Sequence, residues 1–377
     1  MTAPVSTDRA SRTRPRRDDR TGGLRRGEGA AGWLFVAPVV VILGVFLFLP
    51  VLMALWVSFS DWSGRGSPLS SDVAFIGFDN YAELTSGQGL RSRDFGTALR
   101  NNAWYVVLVV PLQTALSLAL AVFVSRRMLR ARGFFRTAFY FPSVTSSVAI
   151  TVLWIFLFSA SGPVNALIAA ITGGEGPNWF ADPRGIVHLG LGAVGVDAAP
   201  AGLAEPGFLG ISGWEWLAGP SVAMTALILM AVFTTSGTFM LLFIAALQNV
   251  GYELTEAGMM DGASGWQRFW RITLPQLRPT LFTVITLGLI GCWQVFDQIY
   301  TGTDGGPAKT TVTPAYLSYT SAFGNQDWGT GAAIAFILFV IIIAFTLLQR
   351  WLLRERPVSR RRIRRYQTRA QKNGDTA

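Results

Sequence analysis

The chain has 377 residues, of which 51% are hydrophobic and only 14% are charged, and its mean hydropathy is +0.39. A soluble domain is typically about one quarter charged, so this composition excludes an ordinary soluble domain and points to a membrane protein. The net charge of +10 suggests nucleic-acid binding at first sight, because clustered Lys and Arg are its usual footprint. The positions of the basic residues argue against that interpretation.

Apolar runs that could cross a membrane recur along the chain. A transmembrane helix needs about 20 consecutive apolar residues, and six runs fit, at residues 33–59, 103–124, 138–158, 221–247, 280–300 and 332–353. We therefore predict an all-α polytopic membrane protein with six transmembrane helices, whose transmembrane domain covers residues 33–353. Pro111 and Pro142 are expected to kink their helices.

The basic residues alternate between loops as they do in membrane proteins. Of the 32 Lys and Arg residues, 26 fall in the N-terminal tail, the second and fourth loops and the C-terminal tail. Because cytoplasmic loops carry an excess of Lys and Arg, both termini are predicted to be cytoplasmic. Residues 1–32 are predicted to be a disordered tail, since their polar composition cannot bury enough surface to fold. Residues 354–377 form a basic tail, interpreted as a topology anchor at anionic lipid, with RNA or protein binding as the alternative.

A single cysteine and a single histidine limit the chemistry. Cys292 has no partner for an intrachain disulfide, and with His188 it cannot build the usual zinc sites. The sequence contains no Gly-x-x-x-x-Gly-Lys-Ser/Thr phosphate loop and no nucleophile paired with a base. We therefore expect no metal, no cofactor and no ATP hydrolysis by this chain, which is predicted not to be an enzyme.

The fourth loop, residues 253–279, is too apolar for a simple connection. Four residues recur at helical spacing and predict a short amphipathic helix: Leu254, Ala257, Gly258 and Asp261. The helix is expected to end near Gly262, because glycine readily adopts the left-handed conformation of a C-cap. A second apolar set, Phe269, Ile272 and Leu274, follows before Pro275 and Pro279, which terminate the segment. Such an element at the cytoplasmic membrane face is suited to insert into a groove of a partner protein.

This loop resembles the docking loop of permeases of binding-protein-dependent ATP-binding-cassette importers, which carry Glu-Ala-Ala, then Asp-Gly-Ala, then Ile-x-Leu-Pro. The matching residues are Glu256, Ala257, Asp261, Gly262, Ala263, Phe269, Ile272, Leu274, Pro275 and Pro279. Gly258 stands where the family has its second Ala, which lowers helix propensity by up to about 1 kcal/mol. The resemblance implies that the loop docks on a cytoplasmic ATPase dimer, with Glu256 in the charged contact. A purely structural amphipathic loop is the alternative.

Further segments resemble the carbohydrate-uptake permeases of the maltose and glycerol-3-phosphate type. They are residues 78–81, Asn178-Trp179, residues 303–307, Thr310-Thr311, Tyr316, Tyr319, Ala322-Phe323 and Trp328-Gly329. The resemblance implies a sugar or sugar-like solute, without choosing among monosaccharide, disaccharide, polyol and glycerol phosphate. It also implies a bacterial plasma membrane location, a second homologous permease subunit and an extracytoplasmic solute-binding protein. Membrane lipid is the other expected partner, and no nucleic acid is expected.

Two polar sets inside the predicted spans are candidates for the solute path. In the fifth span, four residues at i, i+1, i+4 and i+7 can share one helix face: Trp293, Gln294, Asp297 and Tyr300. In the fourth span, Thr234 and Thr238 bound a run of small polar residues. The alternatives are an interfacial aromatic position for Tyr300 and close helix packing for the fourth-span set.

Asp297 leaves a second class of transporter open. A carboxylate inside a membrane is a functional-site hypothesis by default, so a proton-coupled carrier is an alternative. The sequence shows no inverted repeat of the kind common in such carriers, which favours a chain that supplies half of a translocation path. A membrane enzyme acting on lipid-linked sugars would need a carboxylate cluster near a membrane face, and none is evident.

Overall fold

The computed structural model describes residues 26–125, 131–196 and 198–352. The predicted basic tail at 354–377 lies outside this part of the chain, as does most of the predicted tail at 1–32. Helix α1 begins at Arg26, inside the range predicted for the N-terminal tail.

Helices make up the described architecture. In the first half of the chain they are α1 (Arg26–Leu43), a π-helical turn (Gly44–Phe48), α2 (Leu49–Ser58), α3 (Asp79–Thr85), α4 (Gly89–Val124), α5 (Arg132–Val144), α6 (Ser147–Leu157), α7 (Pro163–Thr172) and α8 (Ile186–Ala193). Two short 3-10 turns (Ala201–Leu203, Phe208–Gly210), α9 (Gly213–Leu217) and α10 (Val222–Gln248) follow. The remainder comprises α11 (Tyr252–Met260), α12 (Gly265–Arg268), a π-helical turn (Phe269–Thr273), α13 (Leu274–Gln276), α14 (Arg278–Trp293), α15 (Asp297–Gly302), α16 (Pro314–Tyr319), a π-helical turn (Thr320–Gly324) and α17 (Trp328–Leu352).

Among the described residues, four helices are long and apolar enough to cross a membrane: Gly32–Ser58, Gly89–Val124, Val222–Gln248 and Trp328–Leu352. The third predicted span is instead the pair α5 and α6, bent by 99°, and the number of spans reaches five if this pair crosses once. The fifth predicted span corresponds to α14, whose 16 residues fall short of the roughly 20 needed for a straight crossing. No strand occurs in the ranges that the structure describes. The all-α membrane class is confirmed, and the number of six spans stays a prediction.

The chain divides into two units, residues 1–54 and residues 55–377. The first contains α1, the π-helical turn and the start of α2. In the second, α10 packs on α4, α5 and α14 and is buried along most of its length. A helix that is apolar on all sides is expected at such a central position. Its fully buried side chains include Met224, Leu227, Met230, Met240 and Phe243.

Helix α5 crosses α10 at very short range. A Cβ placed on Gly237 would lie 2.4 Å from the Phe139 carbonyl oxygen and 2.9 Å from the Tyr140 Cα, so a glycine is required at this contact. Ser143 Oγ donates to the Thr234 carbonyl at 2.5 Å and accepts from the Thr238 N–H at 3.2 Å. These contacts hold the bent span against α10, and the predicted close packing by small fourth-span residues is confirmed at Gly237.

Candidate docking loop and solute cavities

Helix α11, which opens the fourth loop, ends at a Schellman C-cap. The Ala263 N–H donates to the Gly258 carbonyl at 2.9 Å, and the Gly262 N–H donates to the Met259 carbonyl at 3.0 Å. This pair of bonds satisfies the last carbonyls of a helix that stops in the left-handed conformation. Gly262 has a φ of +75°, which glycine adopts without a Cβ clash. The predicted helix end near Gly262 is confirmed.

A capping box starts the second half of the loop. The Ser264 N–H donates to Gln267 Oε1 at 2.9 Å, and the Gln267 N–H donates to Ser264 Oγ at 3.3 Å. This reciprocal pair satisfies donors that would otherwise be free at the start of α12. The chain then continues through the π-helical turn and α13 to Leu277, which is fully buried ahead of α14. The loop is thus two helical segments joined by a glycine turn, as predicted.

The predicted docking residues differ in exposure. Four of them are open to a partner: Glu256, Ala257, Asp261 and Gly262. The apolar residues of the second half, with Ala263, are half-buried: Ala263, Phe269, Ile272, Leu274 and Pro275. Gly258 is buried between the two halves. The charged and turn residues therefore form the outer surface of the loop, and the second apolar set mainly holds its shape.

Large apolar side chains that we did not predict as docking residues are also exposed on this loop. Met260 is 89% exposed and Trp266 is 70% exposed. The Trp266 ring contacts the exposed Trp270 ring edge to face at a centroid distance of 5.4 Å. Large exposed apolar groups concentrated in one short loop indicate an interaction surface. The sequence signal was present, since tryptophans at i and i+4 lie on one helix face.

A first cavity of about 300 Å³ lies between α10 and the bent span α5–α6. Its polar side chains are mostly hydroxyls: Ser143, Thr145, Ser147, Thr151, Thr234, Thr235, Thr238 and, from α15, Gln298. Both fourth-span candidates, Thr234 and Thr238, therefore lie in one cavity wall. The break between α5 and α6 contributes Thr145 to the wall, at a residue with extended backbone (φ −77°, ψ 149°).

A second cavity of about 270 Å³ is lined by α4, α10, α14 and the start of α15. Gln294 and Asp297 line it, as does Gln113 from α4, which we did not predict. Thr235, Phe239 and Gln298 line both cavities, so the two adjoin. Together they form a recess between helices of one chain, lined by both polar and apolar side chains.

The fifth predicted span is broken where a continuous helix was expected. Helix α14 ends at Trp293, Gln294 has non-helical dihedral angles (φ −98°, ψ 14°), and α15 begins only at Asp297. The prediction that Trp293, Gln294, Asp297 and Tyr300 share one face of a helix is therefore wrong. Trp293 is only 2% exposed, and Tyr300 stacks on Phe296 at 5.4 Å. Neither ring lines either of these two cavities, whereas Gln294 and Asp297 at the break line the second.

An all-helical membrane chain with two adjoining cavities between its helices and an exposed helical loop has the architecture of a membrane permease. The fold is similar to that of a chain in the crystal structure of a bacterial ABC transporter that imports the acidic polysaccharide alginate. The TM-score is 0.65 at 19% identity, covering 87% of this chain and 97% of the other. A chain in the crystal structure of a bacterial alginate ABC transporter in complex with an alginate pentasaccharide-bound periplasmic protein gives a TM-score of 0.63 at 18% identity, covering 88% of this chain and 98% of the other.

The family described as the inner membrane component of binding-protein-dependent transport systems matches residues 113–356, and the chain belongs to this family. It is 31% identical over 337 residues to the lactose transport system permease protein of Rhizobium radiobacter, covering 88% of this chain and 97% of that protein. It is 28% identical over 327 residues to the trehalose/maltose transport system permease protein of Thermococcus litoralis, covering 87% and 95%. The family resemblance predicted from the fourth loop is confirmed.

Proposed function

We propose that the chain is a permease subunit of an ATP-driven importer and carries a sugar or sugar-like solute through the two adjoining cavities. Residues 253–279 serve as the docking loop on a separate cytoplasmic ATPase dimer. The main support for this proposal is the geometry of that loop. Two capped helical segments leave Glu256, Asp261, Met260 and Trp266 exposed within one short loop, and apolar anchors together with charges are what a protein interface requires.

The relatives support a sugar as the solute. Two of them are named for lactose and for trehalose/maltose transport, and another for starch degradation products. The first cavity suits such a solute because hydroxyl side chains both donate and accept hydrogen bonds, as sugar hydroxyls do. Thr234, Thr238, Gln294 and Asp297 are the predicted residues that line the two cavities, with Trp293 and Tyr300 outside them.

The remaining parts of the importer come from other chains. The proposal includes a second homologous permease, an extracytoplasmic binding protein and the ATPase dimer, so this chain performs no catalysis itself. Both termini are cytoplasmic, which places the docking loop on the ATPase side. Because the family depends on a binding protein, we assign Asp297 to solute contact rather than to proton coupling.

Charge reversal at Glu256 tests the docking proposal. Glu256→Lys in the assembled importer is expected to abolish solute-stimulated ATP hydrolysis and to weaken retention of the ATPase subunit on affinity-purified permease. The matched control is Glu175→Lys, which reverses an exposed glutamate on the third loop and is expected to leave both measurements unchanged. Normal ATPase retention and normal stimulated hydrolysis in Glu256→Lys would contradict the proposal.

The solute class is tested separately on the binding protein that serves this permease. Thermal unfolding is measured with glucose, maltose, lactose, glycerol and glycerol 3-phosphate as probes. A ligand at 100 times its Kd stabilises the folded state by about 2.7 kcal/mol, so at least one probe is expected to raise the unfolding temperature. Stabilisation by amino acids or peptides, with no response to any of these probes, would overturn the sugar assignment.

A further inference from the structure

Gln113 is a fully buried amide at the wall of the second cavity. It lies on α4 and is 0% exposed, and it lines the cavity together with Thr235 of α10 and Gly288 of α14. Its Oε1 is 2.6 Å from Thr235 Oγ1. A Cβ placed on Gly288 would lie 2.2 Å from its Nε2. The side chain therefore fits between the two neighbouring helices only because residue 288 is glycine.

The hydrogen bonds around this amide do not give a partner to both of its polar ends. Thr235 Oγ1 is also 2.7 Å from the Ala231 carbonyl, and a hydroxyl has one hydrogen to donate. If Thr235 donates to Gln113, the amide nitrogen of Gln113 has no acceptor among the described residues. If Thr235 donates to Ala231, as Thr commonly does within a helix, the amide turns so that its nitrogen donates to Thr235. The amide oxygen is then the end without a partner.

Either orientation leaves one polar end of Gln113 unpaired in a buried position, which is costly unless a ligand pairs with it. In one orientation the ligand must accept a hydrogen bond, and in the other it must donate one. A hydroxyl group does both. We infer that Gln113 is a solute-contacting residue whose free amide end binds a hydroxyl of the passing solute. This inference rests on the proposed function.

The surroundings agree with a polyhydroxylated ligand. Gln294, Asp297 and Gln298 line the same cavity and offer amide and carboxylate groups to further hydroxyls. The volume of about 270 Å³ is near the lower end for ligand pockets, about 300 Å³, which favours a small solute or one ring of a larger one. A water molecule carries the same chemistry as a sugar hydroxyl, so the experiment must separate the two.

The test is a hydroxyl scan in the complete importer. The full chain, its partner permease, the ATPase and the binding protein are reconstituted in liposomes, and uptake of glucose, maltose, lactose and glycerol is measured. The best-transported probe is then replaced by its monodeoxy analogues. With wild type, one analogue is expected to be transported about fivefold more slowly than the parent, the net value of one hydrogen bond. With Gln113→Leu, the parent and that analogue are expected to be transported equally.

Two further variants keep the result interpretable. Gly288→Ala adds the Cβ that displaces the Gln113 amide and is expected to reproduce the Gln113→Leu pattern from another helix. Gln349→Leu is the control, because Gln349 is also a buried glutamine that bonds across helices, to Thr286 Oγ1 at 2.9 Å, but lines neither cavity. It is expected to preserve the wild-type ratio of analogue to parent, whatever it does to the overall rate.

The outcomes are distinct. The ratio of analogue transport to parent transport decides the first outcome. If this ratio is the same in Gln113→Leu as in wild type for every analogue, then Gln113 contacts water or nothing. The inference is then overturned while the importer proposal stands. If the assembled wild type hydrolyses ATP but transports none of the four probes, the sugar assignment itself fails, and this inference fails with it.

Discussion

Gly258 and Ile272 bring together the two halves of the loop at residues 253–279, the proposed docking loop. A Cβ placed on Gly258 would lie 2.7 Å from Ile272 Cδ1 and 3.5 Å from Arg268 Cγ. At the sequence level Gly258 is a departure from the family pattern that weakens the first helix. The structure adds a second role, because the missing side chain lets α11 lie directly against the π-helical turn.

Enlarging residue 258 is expected to separate the two halves. Gly258→Leu overpacks a tight contact, which typically costs about 1–3 kcal/mol, and should weaken ATPase binding and make the loop more sensitive to limited proteolysis. Gly258→Ala should be milder, since the methyl group clashes only with the flexible end of Ile272 while helix propensity rises. Gly265→Leu is the control, because the nearest atom to a Cβ there is 3.9 Å away. Equal protease sensitivity in Gly258→Leu and wild type would contradict the packing role.

Trp266 is expected to be a main anchor of the docking surface. Alanine at a buried interface tryptophan typically costs 2 kcal/mol or more, so Trp266→Ala should raise the Kd for the ATPase subunit roughly thirtyfold. Binding is measured by titrating the purified ATPase onto immobilised permease. Trp351→Ala removes an equally exposed tryptophan from the end of α17 and should leave the Kd unchanged. Similar Kd values for the two variants would show that Trp266 is not an anchor.

Much of the conformation of the proposed docking loop could be predicted from sequence because its signals are local. The C-cap at Gly262 needs only a glycine after an amphipathic run, and the apolar spacing identifies both segments. The break after Trp293 could not be predicted in this way, since Gly291 lies inside the last turn of α14 instead of after its end, no proline follows directly, and the apolar period continues across the break. A proline, conversely, does not always mark a break. Pro111 lies within a continuous α4, whereas Pro142 precedes the 99° bend between α5 and α6.

The second cavity was beyond sequence reasoning for a different reason. Gln113, Thr235 and Gly288 lie on three helices far apart in the chain, and no period or motif relates them. Only the packing of α4, α10 and α14 brings them together. Gln294 and Asp297 were predicted, but as members of a helix face, and they reach the cavity because the helix is interrupted between them.

The crossing at Gly237 should tolerate no side chain. Gly237→Val would force a branched group against the Phe139 carbonyl, which a Cβ already approaches to 2.4 Å, and α5 cannot move without disturbing the first cavity. We expect a loss of about 1–3 kcal/mol in stability, measured as a lower unfolding temperature of the detergent-purified protein. Gly190→Val on α8, where a Cβ has no neighbour within 4 Å, is the control. A Gly237→Val protein that unfolds at the wild-type temperature would contradict the contact.

The Asp182 carboxylate should make the third loop sensitive to acid. Arg184 Nε donates to Asp182 Oδ1 at 3.0 Å, and Arg184 Nη2 donates to Oδ2 at 2.6 Å. These side-chain bonds hold the pKa of Asp182 below its usual value. The two residues also hold the start of α10, since the Val222 N–H donates to the Arg184 carbonyl at 3.0 Å.

A depressed pKa fixes the sign of the pH effect. The stability that Asp182 contributes is fully present above the pKa of the unfolded chain, about 3.9, and is lost as the pH falls through the lower folded-state pKa. Asp182→Asn should therefore make the third loop easier to cleave by protease than wild type at pH 7. In thermal unfolding, its difference from wild type should shrink as the pH drops below about 4. Asp72→Asn, at an exposed aspartate, should match wild type throughout, and a pH-independent effect of Asp182→Asn would contradict the role of the charge.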